Sequence, residues 1–144
     1  MEPEKLMAQY VAFLRALYHI HQNAHWKSQG DNFYGNHLLF QRLYEGTSES
    51  VDMAAEKTLG VFDELEDMPD FINGIVAKFD FDKFDGDIVK AVLAAEEMFQ
   101  KFSKSIYDKL KELSVMTLGL DDMLMELAGK HEVHIYLLKQ AGKF

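Results

Sequence analysis

Leu6, Tyr10, Phe13, Leu14, Leu17 and Ile20 recur at helical spacing near the start of the chain, giving one apolar stripe. The pattern predicts a first helix that begins at Pro3, a favoured first-turn residue, and runs to about Ser28. Gly30 stops it. A second helix follows, capped by Asp31 or Asn32 and continuing to about Leu59. Phe33, Phe40, Tyr44 and Val51 fall on one of its faces, and His37 lies on that face between Phe33 and Phe40. Residues 70–80, "DFINGIVAKFD", predict a short connecting helix, and "DFDKFDGD" reads as turn material. Asp87 then caps a third long helix to about Leu113, and "SVMTLG" is the last break. The fourth long helix runs from about Leu120 to Gln140, with Asp121 and Asp122 in its first turn, where the helix dipole favours negative charge.

Prolines occur only at positions 3 and 69, and strand signals are scarce. The predicted fold class is therefore all-α, a four-helix bundle. Short breaks join the first helix to the second and the third to the fourth, so each pair should run antiparallel. The connection between the pairs is long enough to cross the bundle and holds a short helix of its own. That up-down, crossover, up-down order is the ferritin-like arrangement.

At 144 residues, 48% of them hydrophobic, the chain suits one domain spanning residues 1–144. The absence of cysteine excludes disulfides, iron–sulfur clusters and thiol catalysis. Any redox chemistry must use histidine, carboxylate, tyrosine or tryptophan. A net charge of −9 argues against free-standing nucleic-acid binding, which needs cations to displace the counterions of phosphate. No apolar run approaches membrane-spanning length, and the N-terminus lacks the basic-then-apolar layout of a signal peptide. The expected compartment is the cytoplasm.

Asp52 and Glu56 lie four apart on the second helix and share a face. Such a pair is most often a solvated surface feature. Here Val51, Met53, Ala54 and Ala55 flank it as in a packed stretch, and carboxylates of this kind hold cations when imidazoles are near. His25 and His37 flank the break at Gly30 and can meet across the hairpin. They cannot reach the carboxylates, because 52 − 37 = 15 residues of helix is roughly 22 Å. One arrangement resolves this. If two copies pack antiparallel about a two-fold axis, the histidine end of one meets the carboxylate end of the other, twice per dimer.

The segment "HWKSQGDNFYGNHLLFQRLYEGTSESVDMAAEKTLG" resembles the Dps family, the mini-ferritins, through His25-Trp26, Gly30, Phe33, His37, Tyr44, Asp52 and Ala55-Glu56. "DMLMELAGKHEVHIYLLKQ" is similar to the family's last helix, while residues 61–86 are the least similar part. The resemblance implies a hollow homo-dodecamer built from two-fold dimers. It implies Fe(II) bound between subunits by His25 and His37 of one chain and Asp52 and Glu56 of its mate. Fe(II) would be oxidised there by hydrogen peroxide or O2 and stored as ferric mineral, with zinc or another divalent ion able to substitute.

Trp26 and Tyr44 are candidate relays for oxidising equivalents, with ordinary aromatic packing as the alternative. Gln41 departs from the family pattern, standing where many members carry a second acidic ligand. One tight site and one weak or water-filled site are expected. Asp122 and Glu126 match positions lining the pores through which iron enters at a three-fold axis. His19, His21, His131 and His134 are assigned surface or packing roles.

A conventional ferritin centre would need Glu-x-x-His pairs on two helices, and the chain has none. The remaining rivals are a catalytically silent metal-binding cage and a DNA-protecting protein, the latter opposed by the charge.

Overall fold

A computed structural model of the chain describes residues 1–143, and among these there are five α-helices and no strand. Helices α1 (Pro3–Lys27) and α2 (Phe33–Phe62) form one antiparallel hairpin, and α4 (Ile88–Glu112) and α5 (Leu118–Ala141) form the other. The crossover between them carries α3 (Pro69–Lys78), which lies against α1, and a 3-10 turn over Phe81–Phe84. This is the ferritin-like four-helix bundle expected from the periodicity, with its short helix in the long connection. Among the described residues, no helix is long and apolar enough to cross a membrane.

Helix α1 is the centre of the molecule. Its residues from Leu6 to Leu17 are nearly all buried, because α2, α3 and α4 cover it from three sides. Phe99 of α4 fills the space opposite, with ring centroids 5.5 Å from both Tyr10 and Phe13. Each such large side chain contributes roughly 1.5–3 kcal/mol by leaving water.

Helix α2 is built differently. Of its 30 residues only Phe40, Leu43, Thr47, Ser50, Ala54 and Thr58 are buried, a single narrow stripe that turns small and polar towards its C-terminal half. On its other side Tyr34, Leu38, Met53 and Leu59 are exposed. Phe33, the first residue of α2, is exposed as well, although the periodicity sets it on one face with Phe40.

The caps depart from the sequence reading in two places. Asn32 occupies the N-cap of α2, but its side chain makes no capping bond; the Phe33 amide donates instead to the Gly30 carbonyl at 3.1 Å. Helix α5 starts before Leu120, at Leu118, because the Thr117 hydroxyl accepts from the Leu120 amide at 3.0 Å. Asp121 then falls in the first turn and Asp122 just beyond it. Asp87 caps α4 as expected, accepting from the Lys90 amide.

Candidate metal centre

The last turn of any helix leaves carbonyls without intrahelical partners. In α1 one of these, the His25 carbonyl, accepts from His37 Nδ1 at 2.7 Å, and the His37 carbonyl accepts from His25 Nδ1 at the same distance. The two rings stack at 3.7 Å with 16° between their planes. Phe33 stacks on the outer face of His37 at 5.0 Å, and Tyr44 meets His25 edge-on at 5.3 Å. A carbonyl can only accept, so each Nδ1 carries a proton, and in the neutral ring each Nε2 keeps its lone pair. This is the tautomer in which histidine binds a metal, held by the kind of backbone bond that orients metal ligands. Gly30, at φ +93°, makes the turn that brings α2 back alongside α1 and sets the pair face to face.

The structure brings His25 and His37 together, and it does not bring Asp52 or Glu56 to them. All three α2 residues lie on one unbroken helix, so the separation of roughly 22 Å stands. Both carboxylates are exposed rather than packed, and Met53 beside them is exposed too. They share the open face of α2 with Leu38, since 56 − 38 = 18 residues is about five full turns. One chain thus offers two nitrogen donors at one end of this helix and two oxygen donors near the other. Neither half fills a coordination sphere.

Gln41, one turn beyond His37, donates to Glu45 Oε1 at 3.0 Å. Tyr44 is half-buried between Tyr18 and His25, whereas Trp26 stands out from the surface with 66% of its area exposed. Asp122 and Glu126 are both exposed, one turn apart on α5.

A second constellation was missed from the sequence. Glu96 of α4 is wholly buried, with His21 Nε2, His131 Nδ1 and His134 Nδ1 each 2.9 Å from its oxygens. Of the four histidines assigned surface or packing roles, the structure buries His21, His131 and His134 and leaves His19 exposed. Burial alone would raise the Glu96 carboxyl. The charge and hydrogen bond of His131, with the hydrogen bond from His134 and the close approach of His21, outweigh it and hold the group well below the usual range. Burial pushes His21 down, against the pull of Glu96. A signal was present in the stripes. His21 falls in register with buried Leu14, Leu17 and Ala24, Glu96 with Val92, Phe99 and Ser103, and His131 and His134 with Leu127 and Leu138.

A bundle with these connections has the ferritin-like architecture, and solved Dps structures share it. Thermosynechococcus elongatus Dps superposes with a TM-score of 0.80 at 17% identity, covering 99% of this chain and 90% of that one. A double histidine-to-glycine variant of Listeria innocua Dps gives 0.79 at 16% identity, over 99% and 96%. Microbacterium arborescens Dps in its high iron form gives 0.76 at 17%, over 94% and 89%. No family model matches the chain, and no curated protein does. The chain has the Dps fold.

Proposed function

We propose that this protein is a Dps-type mini-ferritin, a cage that oxidises Fe(II) at sites shared between two-fold mates and stores the ferric product. The observation that carries the reading is the reciprocal His25–His37 pair, which fixes two Nε2 lone pairs at the end of the hairpin. Its complement, Asp52 and Glu56, lies on an α2 face that also leaves Tyr34, Leu38 and Met53 exposed, as a face covered by a second copy would.

In this reading iron is the substrate. His25 and His37 of one chain and Asp52 and Glu56 of its mate bind Fe(II), and the carboxylates, harder than thiolate, favour the ferric product. One peroxide takes an electron from each of two Fe(II) ions and, with two protons, leaves as two waters. Gln41, a neutral amide already bonded to Glu45, supports one tight iron position rather than two. Asp122 and Glu126, both open to solvent, would line the pore that draws cations inward. Tyr44, in contact with His25, is the better placed of the two candidate relays.

The test is a His37→Ala variant. It should keep its assembled state and lose rapid peroxide-driven Fe(II) oxidation by at least about tenfold, the scale seen even for groups one shell out from a metal. Oxidation at the unmodified rate would rule out the assignment.

A further inference from the structure

The Glu96 cluster lies inside one bundle and uses none of the residues assigned to iron oxidation above. An ionised carboxylate sealed from water needs compensating charge. A protonated imidazole or a bound cation would supply it. His21 Nε2 stands 2.9 Å from Glu96 Oε1 yet is not aligned to hydrogen-bond with it, leaving a fully buried ring nitrogen aimed into the cluster without a partner. His134 Nδ1 approaches the same oxygen at 2.9 Å, and the three donor atoms lie within 4.8 Å of one another. Donors about 2.0–2.1 Å from a common ion stand about 3.0–3.4 Å apart, so the set would close around one by drawing its widest pair together and slightly opening the 2.9 Å contacts.

The surroundings are those of an oriented ligand set. His21 Nδ1 is 3.2 Å from the Thr47 hydroxyl. His131 Nδ1 meets the other Glu96 oxygen at 2.9 Å, and its Nε2 is 3.2 Å from the Ser50 hydroxyl. These are the contacts that fix imidazole and carboxylate orientation around metals. Nitrogen and oxygen donors without sulfur suit borderline first-row dications. Di-iron bundles use several glutamates, whereas this cluster holds a single carboxylate, enough for one ion and not for two.

We propose that His21, Glu96 and His134 form a mononuclear site inside each bundle for a first-row divalent ion such as zinc, cobalt or ferrous iron, with His131 bracing Glu96. The site is independent of the inter-subunit centre. Its test uses chelator-treated, full-length protein carrying His25→Ala and His37→Ala, incubated with excess Co(II) and dialysed. One cobalt per chain should remain, with visible ligand-field bands from nitrogen and oxygen donors. Adding Glu96→Gln, or separately His134→Leu, should remove both the ion and the bands while circular dichroism stays helical. If either addition unfolds the chain, His21→Leu serves in its place. Absence of retained cobalt in the parent variant overturns the proposal, as does retention that survives these substitutions.

Discussion

Glu96 is an acid in the driest part of the molecule, and its consequences are electrostatic. In metal-free protein it faces His21, His131 and His134. His21 resists protonation when folded, so the unfolded chain takes up a proton near the ordinary value of 6.5 before the folded chain does. Glu96 is also depressed, so the unfolded chain takes up a second proton near 4.5 while the folded one stays ionised. Both differences have one sign: the unfolded state binds more protons, and stability falls as pH falls. The urea midpoint of chelated protein should be level above about pH 6.5, decline below it, and decline faster below about 4.5. A midpoint that is flat from pH 7 to 4 would contradict the buried, coupled arrangement. The stripes marked each residue as core-facing, but their meeting was hidden because they come from three helices, and no local spacing links position 21 to 96 to 134. His25 and His37 were legible because one tight turn joins the helices that carry them.

At the scale of elements, the helices followed from periodicity, and their ends did so less well. A stripe of apolar residues is averaged over many turns and survives a few exceptions. A cap depends on one side chain's rotamer, and Asn32 turned away where Thr117 turned in. The α1–α2 turn matters most, since Gly30 adopts a backbone conformation that L side chains rarely take. Nothing lies within 4 Å of an added Cβ there, so the strain in Gly30→Ala would be conformational rather than a clash. The variant should lose about 1–3 kcal/mol in chemical denaturation and slow Fe(II) oxidation by disturbing the histidine stack. Unchanged stability and rate would show that the turn does not govern the pair. The open face of α2 is the other informative element, because periodicity revealed its buried stripe but not how narrow that stripe is. Only the structure showed that exposed leucine, methionine, tyrosine and two carboxylates share the remaining side.

For the whole molecule, 24 acidic against 15 basic side chains make an acidic surface that attracts cations and repels phosphate. Duplex DNA should show no retardation in a gel at low salt, and clear binding would overturn the charge argument. The bundle and its crossover were readable from one chain's pattern, but a site divided between chains is only half visible in any single one. The most direct test of that division mixes two inactive variants, one carrying His25→Ala and His37→Ala, the other Asp52→Ala and Glu56→Ala, unfolded together and reassembled. Each mixed dimer would hold one site with all four ligands and one with none. Fe(II) oxidation should therefore reappear in the mixture, well above either variant reassembled alone and below the unmodified protein. A mixture as inactive as its parents, with mixed dimers shown by mass spectrometry, would contradict the shared site.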